Sequence, residues 1–362
     1  MCCLRYFCCL KGLVQYICCQ VESLCVYILR YIHSSGVIYC AFLGWRAFDS
    51  LGVKSDIVVV RDDNWASGTH KFQDLIDSTD AKAGQRVVTN VPIASLGTKL
   101  GTQRVGSSLS IAVDPTDLRR IYVAWCDGLA SSSFPYTLHI RRSDDSGQSW
   151  TGDLFSLTNT TNPGLAINAN GVVGALYQEL VKTNGGNRWR THFVHSTDQF
   201  TNVTDTVLAD VLDSDVGAAT SVIIGDYSNL VAIGNDFYGV FSAYNEPDLS
   251  NFPVGVVYLR NHDFNTKRLL NINNSAVVPP SVDPHFVHCR MDRTIYKATK
   301  TDNSDFLRAH VSLSRTGSTV IWHYELHSHK LGSLGFFLFC PNDNFLVKNV
   351  THGDKQASKQ AR

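Results

Sequence analysis

Acid–base or nucleophilic chemistry in this 362-residue chain has few side chains to draw on. Between residues 49 and 290 the only glutamates are Glu179 and Glu246. Tyr177, Tyr238 and Tyr244 are the tyrosines on comparable apolar runs, and Arg104, Arg190 and Arg260 sit near the ends of such runs. Asp226 stands in a Gly-Asp-Tyr triplet. No pair among them has a spacing that forces catalytic geometry, so a site built from them must be assembled from distant parts of the chain. Each also has a plainer reading: a solvated charge for the arginines, packing for Tyr238, a turn cap for Asp226. The pairs His285/His288 and His327/His329 lack the carboxylate or cysteine partners of a recognised metal spacing, so no metal site is expected. There is no glycine-rich loop at a strand-to-helix junction, so no nucleotide cofactor is expected. Lysine plus arginine equals aspartate plus glutamate, giving a formal net charge of zero. With no basic stripe, nucleic acid is not an expected partner.

The elements that must position these residues read as short β-strands. One run is Leu109–Val113, a turn at Asp114-Pro115, Ile121–Trp125, then Thr137–Arg141. A second is Leu165–Ile167, a turn at 168–171, Val172–Tyr177, then Thr191–Val194. A third is Leu230–Ile233, a turn at 234–236, Phe237–Phe241, then Val254–Tyr258. Each copy is strand, tight turn, strand, longer loop, strand, and each is followed by an acidic turn: 143–145, 196–198 and 261–263. A unit of three or four antiparallel strands leaves both sheet faces uncovered, and radial stacking of neighbours covers them. The pattern therefore predicts an all-β fold, a β-propeller of about four to six blades.

The first acidic turn is the most specific motif. Ser143-Asp-Asp145-Ser-Gly147-Gln-Ser-Trp150 has the form S-x-D-x-G-x-x-W. An aspartate in a turn accepts backbone N–H bonds one or two residues on. Gly147 supplies a conformation that other residues reach only with strain, and Trp150 offers a large ring to bury. On these residues the chain resembles the Asp-box (bacterial neuraminidase repeat) propellers. The stretches 105–125, 141–150, 187–200 and 225–260, with Ser281-Val-Asp-Pro284, are similar to sialidase and exo-alpha-sialidase-like proteins. The likeness covers roughly 80–290.

The resemblance implies a glycoside hydrolase acting on, or descended from one acting on, sialylated or related glycans. A non-catalytic propeller that binds a carbohydrate or protein is the alternative. In such a hydrolase a glutamate polarises a tyrosine nucleophile, an aspartate is the acid/base, and arginines hold the substrate carboxylate. Carried onto this chain, Tyr238, Glu179 and Asp226 become the catalytic candidates, and Arg104, Arg190 and Arg260 the substrate-binding ones. Ser143, Asp145, Gly147 and Trp150 keep a structural role. The family's N-terminal F/Y-R-I-P motif has no counterpart here. The resemblance also implies a glycan or glycoprotein partner and an extracellular or cell-surface location.

Eight of the eleven cysteines lie at positions 2, 3, 8, 9, 18, 19, 25 and 40. Residues 1–48 therefore read as a cysteine-rich apolar segment, either membrane-associated or foreign to the fold. Arg30 and His33 argue against a span, since a central charge costs roughly 2.5–3.5 kcal/mol on insertion scales. The expected boundaries are 1–48, a propeller over 49–290, further strands or a closing blade over 291–350, and a frayed tail over 351–362.

Overall fold

A computed structural model describes residues 17–21, 24–32, 36–94 and 109–291, apart from 50–51, 68, 70, 129–135, 213–223, 225–227, 257, 259–260, 272 and 274–275. It also describes the strands 308–316, 319–327 and 357–360. The described residues contain no α-helix. The fold is all-β, a propeller-type succession of antiparallel sheets.

The first sheet runs in chain order through β1 (Ile17–Val21), β2 (Leu24–Ile32), β3 (Ile38–Asp49), β4 (Gly52–Asp62) and β5 (Gln85–Ala94). The second is β6 (Leu109–Val113), β7 (Ile121–Asp127), β8 (Thr137–Ser143) and β9 (Phe155–Thr158). The third is β10 (Thr160–Ile167), β11 (Val173–Thr183), β12 (Gly186–Ser196) and β13 (Thr204–Leu212). The fourth pairs β14 (Asn229–Ile233) with β15 (Asp236–Tyr244), and β15 with β19 (Val282–Cys289). Between β15 and β19 lies a small sheet of β16 (Asn261–Asp263), β17 (Arg268–Leu270) and β18 (Val277–Val278).

The apolar runs explain why the sheets stack. Every residue of β6 and of β10 is buried, as expected of strands covered on both faces. Alternate side chains of β7 go to opposite neighbours. Ile121, Val123 and Trp125 join Ile57, Val59 and Val87 of the first sheet. Tyr122, Ala124 and Cys126 join Val173, Ala175 and Tyr177 of the third. The other face of β11, with Leu176 and Leu180, meets Phe237 and Phe241 of the fourth sheet. The leading strands of successive sheets also touch. Leu165 N donates to Ser110 Oγ at 2.7 Å, and a Cβ on Gly164 would stand 3.2 Å from Leu230 N. Face-to-face sheets in chain order, with leading strands in contact, are the arrangement of propeller blades.

Some expectations are corrected. The boundary after residue 48 falls inside β3, whose Tyr39, Cys40 and Ala41 are buried in the first blade. The composition of 1–48 as a whole disguised a strand that pairs with β4 from Ile38 to Asp49. Val254–Tyr258 is not the third strand of the third copy. That place is taken by β19, because residues 245–281 form an insertion. The acidic turn at Asp263 belongs to the β16–β17 hairpin of this insertion. It was mistaken for the blade turn because an aspartate-capped turn is a local device that suits any hairpin. A separate unit, Lys300–Arg362, contains β20 (Arg308–Thr316) and β21 (Thr319–His327), which pair as a hairpin within the stretch expected to hold further strands. There β22 (Ala357–Gln360) pairs with β21, within the stretch expected to fray.

Candidate functional site at the open end of the blades

The strand register gives each blade two ends. In the second sheet the β6–β7 turn and the β8–β9 turn lie at one end, where Ile121 faces Val113 and Ser143. The β7–β8 loop lies at the opposite, open end, where Asp127 faces Thr137. In the third sheet the same reasoning puts Glu179 and Arg190 toward the open end, since they pair six positions beyond Val173 and Ser196.

The turn end is built by two acidic turns of one design. Ser143 Oγ donates to Asp145 Oδ1 at 2.7 Å and accepts from Gly147 N at 2.8 Å, while Ser149 N donates to Asp145 Oδ1 at 2.9 Å. In the next blade Ser196 Oγ donates to Asp198 Oδ1 at 2.8 Å, accepts from Phe200 N at 2.8 Å, and Asn202 N donates to Asp198 Oδ1 at 2.9 Å. Gly147 has φ +89° and Phe200, its counterpart, φ +69°. The phenylalanine keeps this costly conformation because its ring is buried against Phe155 and Tyr122. Burial raises the pKa of Asp145, but bonds from Ser149 and Ser143 outweigh it and leave the carboxyl below its usual range. Asp145 thus fixes a turn.

Four positions in from the turn end the blades repeat another device, which the sequence reading missed. In each of three sheets an aromatic residue on the second strand stacks on the histidine facing it across the ladder. The pairs are Trp125/His139 (centroids 5.0 Å), Tyr177/His192 (5.0 Å) and Phe241/His285 (5.4 Å). In each, the histidine lies four residues before the strand-closing Ser143, Ser196 or Cys289. That spacing was the available signal.

Two of the three imidazoles also sit between carboxylates. His192 Nε2 is 3.3 Å from Glu179 Oε2, and its Nδ1 is 3.0 Å from Asp205. His139 Nε2 is 3.3 Å from Asp127 and its Nδ1 2.8 Å from Asp153. Burial lowers the pKa of His192, but Asp205 and Glu179 outweigh it and push it up to about 9. His139 is raised in the same way, its burial overcome by Asp127 and Asp153. In the fourth sheet Ala243 stands where the others carry an acid, and burial holds His285 below its usual value.

The expected site residues are distributed as follows. Glu179 and Arg190 are cross-strand partners. Arg190 Nε donates to Asp210 Oδ2 at 2.9 Å, and Arg188 Nε to Asp210 Oδ1 at 2.5 Å. Tyr238 lies on the fourth sheet near the β14–β15 turn, stacked on His288 at 4.3 Å. Its strand position is the counterpart of Gly174, five positions before Glu179, about 17 Å of extended chain. Tyr238 and Glu179 are therefore not brought together. Tyr177 is beside Glu179 but is 2% exposed, and burial pushes its hydroxyl far above the ordinary range. Tyr244 is buried in the core, and Glu246 lies in the insertion, where its carbonyl accepts from Tyr258. Arg104, Asp226 and Arg260 lie outside the described residues, as does His329. His285 and His288 point to opposite faces of β19, so they do not share an ion.

No protein-family model matches the sequence, and neither does any curated protein. Solved structures similar to the chain include a Hadza microbial sialidase, at 11% identity and TM-score 0.35, over 59% of this chain and 40% of that one. The chain thus spans well under half of the sialidase. A thermostable family-43 glycoside hydrolase is similar at 10% identity and TM-score 0.34, over 83% of both chains. An endo-arabinase from Bacteroides thetaiotaomicron is similar at 10% identity and TM-score 0.34, over 85% of this chain and 95% of that one. At these TM-scores the likeness does not bear on residue roles.

Proposed function

We propose that the chain is a sialidase-like Asp-box propeller that recognises sialylated or related glycans, with binding rather than turnover as its activity. The two Asp-box turns on successive blades, with one hydrogen-bond scheme between them, support the sialidase-like reading. The observation that favours binding is the state of the arginines. Arg190, one of the three candidate arginines, is held through its Nε by Asp210, which it shares with Arg188, and that pairing competes with a substrate carboxylate. A tyrosine nucleophile also needs its glutamate at hydrogen-bond distance, and the Tyr238–Glu179 separation argues against that pair.

The open end still offers what a glycan needs. Glu179 faces Arg190 across the ladder there, so a carboxylate and a guanidinium are presented together. One observation favours hydrolysis as the second reading. Glu179 and Asp205 are two carboxylates held around one imidazole, and most glycosidases work with such a pair. A fluorogenic sialoside separates the readings. Binding predicts no turnover above the blank, with Tyr238→Phe and Glu179→Gln indistinguishable from wild type. Turnover that Glu179→Gln abolishes would establish hydrolysis instead.

A further inference from the structure

A recess lies between the first two blades at their turn end, away from Glu179. It has a volume of about 240 Å³ and is lined by Val37, Tyr39, Arg61, Asp63, Val113, Leu118, Arg119 and Ser146. Its floor is apolar, from Val37, Val113 and Leu118, and its polar groups come in compensated pairs. Arg61 Nε is 2.8 Å from Asp63 Oδ1, and Arg119 Nε is 3.3 Å from Asp117. The pairing leaves donors and acceptors exposed without net charge, for Arg119 is 71% and Asp63 48% exposed.

The walls are held rigid. Arg61 crosses between the blades and donates to Ser146 O at 3.2 Å and Asp74 O at 3.0 Å. The loop after Asp63 is pinned by the buried Asp62 carboxylate, which accepts from the backbone N–H of Asn64, Ala66 and Phe72. That loop carries Trp65, 44% exposed, at φ +56°. Trp65 N donates to Gly36 O at 2.8 Å, and the indole covers Gly36 so closely that a Cβ there would meet it at 2.4 Å. An exposed indole is therefore fixed over Gly36, the residue that precedes Val37 of the recess lining. A strained backbone that holds an exposed aromatic ring suits a recognition element.

We propose that this recess binds one neutral pyranoside ring. Its volume lies below the roughly 300–1,000 Å³ of sites for drug-sized ligands, which limits the occupant to about one ring. The apolar floor and the Trp65 ring match the C–H face of a pyranose, and the Asp63 and Arg119 heads match its hydroxyls. The compensated charges select against an anionic sugar, which would need an uncommitted guanidinium.

Saturation-transfer NMR on the full chain tests this, with methyl β-D-galactopyranoside, methyl α-D-glucopyranoside and N-acetylneuraminic acid as probes. The expected result is transfer to the ring protons of a neutral glycoside with Kd of about 1 mM, some 4 kcal/mol. Arg119→Ala, at an exposed position, weakens it about tenfold, as does Trp65→Ala. The proposal fails if neither neutral glycoside receives saturation, if both variants bind as wild type does, or if the acid binds more tightly in an Arg119-dependent way. Because the variants lie at the turn end, failure here leaves the reading of the open end untouched.

Discussion

At His192 the contest between burial and charge is won by two carboxylates, and that gives a pH dependence with a definite sign. The folded pKa of about 9 lies above the unfolded value near 6.5. The stability it confers is therefore complete below about pH 6.5 and is lost as pH rises toward 9. The groups facing the imidazole are Glu179, Asp205 and the Tyr177 ring. The contribution is at most about 3 kcal/mol. Urea midpoints should fall between pH 6 and pH 9.5 in the wild type and change less in His192→Gln. Equal changes in both would remove His192 from the account. The acidic turns make a second residue-scale prediction. Ser143→Ala and Ser196→Ala each remove a shared acceptor and donor, and each should cost about 1–2 kcal/mol by denaturant unfolding. These turns were legible in the sequence at Asp145 and Asp198, because a turn is fixed by neighbours in the chain. The stacked histidines were not, because each needs a partner one strand away.

The elements owe their order to glycine and amide contacts between blades. Gln178 Nε2 donates to Thr191 Oγ1 at 3.1 Å and to Ser242 O at 2.8 Å, and its Oε1 accepts from Asn162 Nδ2 at 2.7 Å. This buried network links the third sheet to the fourth. Gln178→Leu should therefore destabilise by about 2–3 kcal/mol, since a half-satisfied network is worse than none. Loss of less than about 0.5 kcal/mol in chemical denaturation would mean that the network is not formed. The strands flanking Gln178 were readable from apolar runs, and so were β6, β7, β8, β14 and β15. The third strand of the fourth sheet was not, because the insertion after Tyr244 carries its own apolar run at Val254–Tyr258 and its own acidic turn.

At the scale of the molecule, residues 38–48 belong to the first blade, as part of β3. Composition alone set residues 1–48 aside, since paired cysteines carry no strand period that separates them from a membrane segment. Packing buries Ile38, Tyr39, Cys40 and Ala41, and places Tyr39 and Ala41 in a core that reaches Ile111 and Trp125. Burial of the larger side chains stabilises by about 1.5–3 kcal/mol each, and whole domains have only about 5–15 kcal/mol. A chain begun at residue 49 should therefore fail to fold the first blade, seen as aggregation or lost dispersion in NMR spectra. A well-folded monomer from that truncation would return the boundary to residue 48.

The central claim is glycan recognition at the open end without hydrolysis. A single NMR time course on the Arg119→Ala chain, which weakens the recess at the other end, tests it with sialyllactose. The account predicts saturation transfer to the intact glycan, loss of that transfer in the further Glu179→Gln variant, and no free sialic acid above the blank. Release of sialic acid that depends on Glu179, or no transfer at all, would contradict it.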